Sequence, residues 1–127
     1  EIDKVNILKA THLAAYRALE KIALPSLALV TDFLKLERYP YLAVPKADSR
    51  SFQVAAASIL AKTTRDNLML DYAYTYPNYG FENHKGYGAT QHLQALDHLG
   101  PCAIHRKSFK PVAQLRLFLS SSSNEIE

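Results

Sequence analysis

The segment from Lys46 to Asp66 constrains the fold of this chain more than any other part of the sequence. It contains a run of small residues around Ala55-Ala56-Ala57 that is free of proline and glycine. Ser49 or Ser51 can cap a helix here, because a serine oxygen accepts hydrogen bonds from the first N–H groups of a helix. We predict a helix that continues to about Tyr72. Its alanines favour close packing against a β-sheet.

Two short strands are expected before this helix. Leu27-Ala28-Leu29-Val30 is an apolar run that suits a buried strand, and Tyr41–Val44 suits a second one. The residues from Asp3 to about Ile22 have apolar side chains at helical spacing, with Asp3 as the expected N-cap. Two strands are too few for an independent sheet. The prediction is therefore an α/β fold, present here as several helices and two strands without the central strands.

The C-terminal half is predicted to be mostly helices and loops. Pro77–Gly88 holds three of the four glycines and reads as a loop. A shorter helix is expected over Thr90–Leu99, stopped by Gly100-Pro101. Val112–Leu119 suits a last helical turn or two. Ser120–Glu127 is polar and serine-rich, so we expect a disordered tail.

The composition limits the class of protein. With 127 residues, 48% of them hydrophobic and 21% charged, the chain has room for one globular domain. No apolar run approaches the ~20 residues that cross a bilayer, so no membrane partner is expected. Cys102 is the only cysteine, which excludes an intrachain disulfide and fits a cytoplasmic location. The net charge of +3 is a weak indication of an anionic partner.

The first residue is Glu1, and Met69 is the only methionine. A complete reading frame normally begins with methionine. We interpret the chain as lacking the front part of its domain.

Two aspartates follow the predicted strands. Asp32 comes directly after the first strand, and Asp48 lies between the second strand and the long helix. Ligands of open α/β sheets gather at the carboxyl ends of strands. Two carboxylates brought together there would repel each other unless a cation lay between them, and their hard oxygens suit Mg²⁺ or Mn²⁺. The alternative is a turn residue and a helix cap.

The long helix carries polar residues at a spacing that places them on one face. Ser58, Lys62 and Arg65 are at positions i, i+4 and i+7, with Asp66 beside them or paired with Lys62. These cations could contact a nucleic-acid backbone. A solvated charged face explains the same pattern.

The sequence His84-Lys85-Gly86-Tyr87-Gly88 is more specific. The two glycines allow the backbone to approach a ligand closely, and Lys85 is a natural phosphate partner. Tyr87 combines a flat ring for stacking with a hydroxyl that could meet a ribose 2′-OH. The alternative is a tyrosine-rich turn that packs on the core.

The segment His105-Arg106-Lys107-Ser108 offers three possible cations and a hydroxyl. It could hold a phosphate or simply be a solubilising loop. No structural zinc site is expected, because the other histidines of this half lack the usual ligand spacing, and Cys102-x-x-His105 has no second pair.

Five blocks, in order, resemble the ribonuclease HII family. They are EIDKVNIL at the start of the chain, ALVTD at Ala28–Asp32, KADSRS with VAAASILAKTTRD, YPNYGFENHKGYG, and LGPCAIHRKSFKPV. The resemblance covers roughly residues 1–113. It implies an RNase H-like fold, of which residues 1–119 would form the C-terminal part of one domain.

The resemblance implies a nuclease that hydrolyses RNA in RNA–DNA hybrids and cuts on the 5′ side of a ribonucleotide embedded in DNA. Four carboxylates of the family hold two divalent ions, Mg²⁺ or Mn²⁺. Carried over to this chain, Asp32 and Asp48 would be catalytic metal ligands, and Tyr87 would stack on the sugar at the RNA–DNA junction. The remaining implied contacts to the nucleic-acid backbone are Lys46, Ser58, Lys62, Lys85 and Arg106.

The chain departs from the family in two places. The Asp-Glu-Ala-Gly-Arg-Gly motif, which supplies two of the four carboxylates, is absent. Phe33 stands after the third acid, where the family often has glycine. The leading hypothesis is the C-terminal part of a ribonuclease HII that needs the N-terminal half of the same domain. The alternatives are a truncated, non-catalytic module that binds hybrids and a decayed fragment with no function.

Overall fold

The computed structural model describes residues 1–22 and 28–115. In chain order the elements are α1 (Ile2–Ile22), β1 (Leu29–Thr31), β2 (Tyr41–Ala43), a 3₁₀ turn (Ala47–Ser49), α2 (Phe52–Thr75), α3 (Phe81–His84) and α4 (Thr90–Leu99). Residues 110–115 are also helical. The predicted composition of several helices and two short strands is confirmed. The expected tail, and the last residues of the final predicted helix, lie outside the described ranges.

The helix α1 is capped at a different residue from the one predicted. Asn6 has φ 67° and ψ 168°, which interrupts the helix after its first turn. Its side-chain Oδ1 accepts a hydrogen bond from the Lys9 N–H at 3.1 Å, the arrangement of an N-cap. The expected cap at Asp3 is wrong, because Asp3 lies inside the first turn.

The two strands pair in parallel, in register from Leu29 opposite Tyr41 to Thr31 opposite Ala43. The Val44 N–H extends the pairing by donating to the Thr31 carbonyl at 3.0 Å. Parallel strands end at the same edge of a sheet. Asp32 directly follows β1. It therefore lies at the edge of the sheet where β2 also ends and the chain continues toward the 3₁₀ turn.

The long helix α2 begins one residue after Ser51, which decides between the two predicted caps. The Ala55 N–H donates to the Ser51 carbonyl at 2.9 Å, whereas the Ser49 hydroxyl donates to the carbonyl of Lys46. The helix ends at Thr75, three residues beyond the expected end. Ala57 is exposed, so the described residues do not enclose the alanine run on all sides.

Contacts divide the chain into two compact units, Glu1–Thr64 and a second unit that begins at Arg65. Among the described residues of the first unit, only Leu36 and Ala47 are buried. The second unit has a larger set of buried residues: Met69, Tyr79, Phe81, His84, His92, Leu96 and Val112. The main hydrophobic core of the described chain therefore lies in the second unit.

The segment Pro77–Gly88 is not entirely a loop, as the sequence pattern predicted, because it contains the short helix α3. Phe81 is 1% exposed and anchors this turn, with its ring stacked on that of Tyr79 at 5.3 Å between centroids. Lys85 ends the helix in a left-handed conformation, φ 49°, and its N–H donates to the Phe81 carbonyl. By contrast, α4 has the predicted bounds.

None of the helices in the described ranges combines the length and the apolar character needed to cross a bilayer.

Candidate nucleic-acid and metal site

The first unit holds the two aspartates that the sequence pattern indicated. Both Asp32 and Asp48 are exposed. Asp32 Oδ1 accepts a hydrogen bond from the backbone N–H of Lys46 at 2.9 Å. This bond ties the end of β1 to the segment that begins the 3₁₀ turn, two residues before Asp48. Asp48 Oδ1 accepts from the N–H of Ser49 at 2.9 Å.

The donor chemistry of these two residues suits a divalent ion of the magnesium type. Both of these hydrogen bonds are made by Oδ1, and carboxylate oxygens are the ligands that Mg²⁺ and Mn²⁺ prefer. The described residues contain no group of three or more acidic, histidine or cysteine side chains placed to hold a metal ion. The first unit therefore offers two carboxylates of the right chemistry, and a shared metal at Asp32 and Asp48 stays a prediction.

The residue after the first aspartate is the phenylalanine that departs from the family pattern. Phe33 has φ 65°, a left-handed conformation that glycine adopts without strain. The residue is 74% exposed. The turn after β1 thus has the backbone geometry that favours glycine, although this chain places phenylalanine there.

Two of the predicted backbone contacts in the first unit, Ser58 and Lys62, lie exposed on α2. Lys46 is also exposed, and its left-handed backbone (φ 54°) precedes the 3₁₀ turn. Their predicted roles toward nucleic acid stay predictions.

In the second unit, Tyr87 presents its ring to solvent. The residue is 58% exposed, whereas Tyr79 and Phe81 of the same segment are buried. The guanidinium carbon of Arg65 lies 4.7 Å from the centre of the Tyr87 ring, within the range of a cation–π contact. Two aromatic residues of the tyrosine-rich turn therefore pack in the core, whereas Tyr87 does not.

Gly86 is required here for a reason that the sequence pattern did not indicate. Its φ is +77°, and a Cβ atom at this position would lie 3.1 Å from the terminal methyl of Met69 on α2. The close approach is therefore to α2 of the protein itself. A Cβ at Gly88 would meet nothing within 4 Å.

Two predicted cations also lie in this unit. The Lys85 ammonium donates a hydrogen bond to the Glu82 carbonyl, so Lys85 takes part in closing α3. Arg106 is exposed and lines the same cavity as Tyr87. This cavity has a volume of about 370 Å³ and is bounded by Arg65, Met69, Tyr87, His92 and Arg106 among others.

A cluster of histidines that no sequence pattern indicated lies behind the Tyr87 backbone. His92 and His84 are both buried, and their rings stack with centroids 4.4 Å apart. His92 Nδ1 is 2.9 Å from the Tyr87 carbonyl oxygen, and His92 Nε2 is 3.2 Å from His105 Nε2. His105 Nδ1 in turn accepts from the Cys102 N–H at 3.0 Å. The cluster comes from three separate segments, so its spacing in the sequence resembled no known ligand pattern.

Burial shifts the acid–base behaviour of this cluster. It lowers the pKa of His92 below its ordinary value, an effect to which the neighbouring His84 adds and which the hydrogen bond to Tyr87 opposes. Burial also lowers the pKa of His105, with a further contribution from His92. Both imidazoles are therefore held toward their neutral forms at pH 7.

The chain belongs to the ribonuclease HII family, whose family model matches residues 1–112. It is 54% identical over 118 residues to a ribonuclease HII of Thermus thermophilus, covering 92% of this chain and 58% of that protein. The ribonuclease HII of Acholeplasma laidlawii is 47% identical over 114 residues, covering 90% of this chain and 56% of the relative.

The ribonuclease HII of Ligilactobacillus salivarius is 46% identical over 117 residues, covering 91% of this chain and 46% of that protein. The chain thus spans about half the length of the curated relatives it matches. Its helices and its two-stranded parallel sheet are consistent with a part of the RNase H-like α/β fold.

Proposed function

We propose that this chain is the C-terminal part of a cytoplasmic ribonuclease HII that hydrolyses RNA in RNA–DNA hybrids and cuts on the 5′ side of a ribonucleotide embedded in DNA. The observation that carries the proposal is the presentation of Tyr87: an exposed ring, an arginine at 4.7 Å from its centre, and a backbone carbonyl held by His92. An exposed aromatic ring held in this way can stack on a sugar or a base. The family membership supports the nuclease class.

Asp32 and Asp48 would act as the carboxylates that this part of the chain supplies. They would hold Mg²⁺ or Mn²⁺, which when bound activates a water molecule and stabilises the leaving oxygen. The Lys46 N–H would orient the Asp32 carboxylate by its hydrogen bond to Oδ1. Two further carboxylates, which the resemblance assigns to the absent motif, are needed for a complete set.

The cations would provide affinity rather than chemistry. Lys46, Lys62, Lys85 and Arg106 would contact phosphates, with Ser58 supporting the same strand. Phosphate contacts contribute most of the affinity for nucleic acid, and they weaken as salt increases. Lys85 would exchange its hydrogen bond to the Glu82 carbonyl for a phosphate oxygen.

The test joins this chain to a segment that carries the Asp-Glu-Ala-Gly-Arg-Gly motif and measures cleavage of a DNA–RNA–DNA duplex. Tyr87→Ala should lower kcat far more than it raises Kd, because positioning of the scissile phosphate acts on the transition state. Tyr87→Phe should retain part of the activity if stacking matters more than the hydroxyl. An unchanged kcat for Tyr87→Ala would remove the junction-reading role.

The matched comparison uses the cations. Lys85→Ala and Arg106→Ala should weaken binding and reduce its dependence on salt, with a smaller effect on kcat. A loss of turnover without a change of affinity would contradict the phosphate-binding assignment.

A second candidate is a non-catalytic module that binds hybrids. The observation in its favour is that the described residues gather no group of three metal ligands. Under both candidates the chain alone should cleave little. Robust Mg²⁺-dependent cleavage by residues 1–127, abolished by Asp48→Asn, would exclude the non-catalytic module and the need for further carboxylates.

A further inference from the structure

We infer that His92 is a positioning residue for Tyr87, acting through a directional chain of hydrogen bonds that runs from Cys102 through His105 and His92 to the Tyr87 carbonyl. This inference deepens the proposed function and rests on it for its consequence toward RNA, while the hydrogen-bond chain itself is independent of any ligand.

The direction of the chain follows from its two ends. At one end the backbone N–H of Cys102 points at His105 Nδ1, so this nitrogen must carry a lone pair. The Cys102 Sγ also lies 3.0 Å from Nδ1, and its S–H would be a second, weak donor to the same lone pair. The proton of a neutral His105 is then on Nε2, which lies 3.2 Å from His92 Nε2. At the other end the Tyr87 carbonyl can only accept, so His92 Nδ1 carries its proton. His92 Nε2 is left as the acceptor for His105, and all three bonds are satisfied at once.

The chain requires both rings to be neutral. A proton added to His92 would lie on Nε2, opposite the N–H of His105 Nε2. A proton added to His105 would lie on Nδ1, opposite the Cys102 N–H. Two further observations favour neutrality. The rings of His84 and His92 stack 4.4 Å apart, and His84 is itself fixed by the Gly86 N–H on Nδ1 and by the Tyr79 carbonyl near Nε2. The neighbouring cations Arg65 and Arg106 line the same cavity as the rings of His92 and His105.

The consequence falls on the backbone that carries the exposed ring. The Tyr87 N–H donates to the His84 carbonyl at 2.9 Å, and the Tyr87 carbonyl accepts from His92 and from the Ala89 N–H. Among the described residues, only His92 donates to this peptide from outside the turn. Without it, the orientation of the Tyr87 peptide would depend on bonds within the turn alone. A side chain that must stack on one sugar needs a fixed backbone, because small displacements reduce the benefit of positioning.

The first experiment uses the chain joined to a segment that carries the Asp-Glu-Ala-Gly-Arg-Gly motif. It measures kcat for cleavage of a DNA–RNA–DNA duplex and, by fluorescence anisotropy, Kd for the same duplex. His92→Leu should lower kcat with little change in Kd, as Tyr87→Ala should. His92→Asn should restore most of the kcat, because an asparagine amide can donate from near the Nδ1 position. His98→Leu, on the exposed side of the same helix, is the control and should leave kcat and Kd unchanged.

The double variant Tyr87→Ala with His92→Leu distinguishes positioning from general stability. If His92 acts through Tyr87, the kcat of the double variant should be no lower than that of Tyr87→Ala alone. Additive losses of kcat, or an unchanged kcat for His92→Leu, would overturn the inference.

The second experiment needs no nucleic acid. Nitrogen-15 NMR of the imidazoles of the unsubstituted chain at pH 7 should show His92 protonated on Nδ1 and His105 protonated on Nε2. The opposite tautomer at His92, or a charged ring, would overturn the hydrogen-bond chain. If the joined protein did not cleave the DNA–RNA–DNA duplex, the proposed function would fail, and the NMR result would still decide the role of His92.

Discussion

Phe33 and Gly86 both have left-handed backbone angles, with different consequences for stability. Phe33 has a left-handed backbone that glycine would adopt more easily. The residue is largely exposed, so burial of its ring offsets little of this cost. Such a conformation costs a residue with a Cβ atom about 1 kcal/mol or more. In the second unit, by contrast, the unusual backbone at residue 86 is occupied by glycine itself.

We therefore expect Phe33→Gly to raise the free energy of unfolding, by about 0.5–1 kcal/mol after the greater flexibility of unfolded glycine is subtracted. Phe33→Ala is the matched control, because it removes the ring but keeps the Cβ atom. Chemical denaturation of both variants decides the matter. Equal stabilities of the alanine and glycine variants would show that the backbone at residue 33 is not strained.

The buried histidines predict how stability depends on pH. Folding lowers the pKa of His92 and His105, so the unfolded chain binds more protons below the ordinary histidine value of 6.5. The free energy of unfolding should therefore fall as the pH drops from about 7.5 to about 5.5, a range above the titration of most carboxylates. Urea unfolding at several pH values measures the slope. Replacing both histidines by asparagine should reduce the dependence of the free energy of unfolding on pH. An equally steep dependence in that variant would mean that other groups cause it.

At the residue scale, the sequence indicated exposed functional side chains better than the contacts that hold them in place. Tyr87 could be selected because a glycine-flanked tyrosine is conspicuous. The contacts around Tyr87 could not be predicted, because Arg65 comes from α2, His92 from α4 and His105 from the segment beyond. These residues meet only when the second unit packs, and no pattern along the chain records that meeting.

Elements whose ends have strong local signals were predicted well. The helix α4 begins at Thr90 and stops before Gly100-Pro101, as expected from the sequence. The four-residue helix α3 was missed, because a single turn is too short to show a period of 3.6 residues. The cap of α1 was assigned to Asp3 because either an aspartate or an asparagine can serve. Only the backbone angles at Asn6 decide between them.

The loop that joins α3 to α4 offers a matched pair of glycines. Gly86→Ala should lower the free energy of unfolding by about 1–3 kcal/mol, because it adds a Cβ atom at φ +77° and 3.1 Å from the Met69 methyl. Gly88→Ala should change stability little, since nothing lies within 4 Å of the added atom. Thermal unfolding of the two variants makes the comparison. Similar losses at both positions would mean that loop flexibility, rather than the approach to α2, requires glycine.

For the whole molecule, burial is distributed unequally between the two units. The helix α1 contributes no buried residue, and the first unit leaves several large apolar side chains exposed, among them Ile7, Leu8, Leu42, Phe52 and Ile59. Exposed apolar area of this kind favours association with another surface. It agrees with the proposal that this chain is one part of a larger ribonuclease HII domain.

We expect hydrogen exchange to separate the two units in the isolated chain. Amides of α4 and of the C-terminal half of α2, around Met69, should be protected most, because they border the buried core. Amides of α1 and of the paired strands should exchange faster. Addition of a segment that carries the Asp-Glu-Ala-Gly-Arg-Gly motif should raise protection mainly in the first unit. Equal protection of both units before that addition would contradict the unequal core.

The hydrogen bonds of the second unit also bear on the order of events in time. The Tyr79 hydroxyl reaches the Gly100 carbonyl across 21 residues, and His92 reaches His105 across 13. Chains whose contacts are close in sequence fold quickly, since a loop of ~10 residues closes within about 10–100 ns. The hydrogen bonds that fix the Tyr87 backbone connect residues 84–105 only. They can therefore form without contacts to the first unit, and a nucleic acid would meet a Tyr87 backbone that is already set.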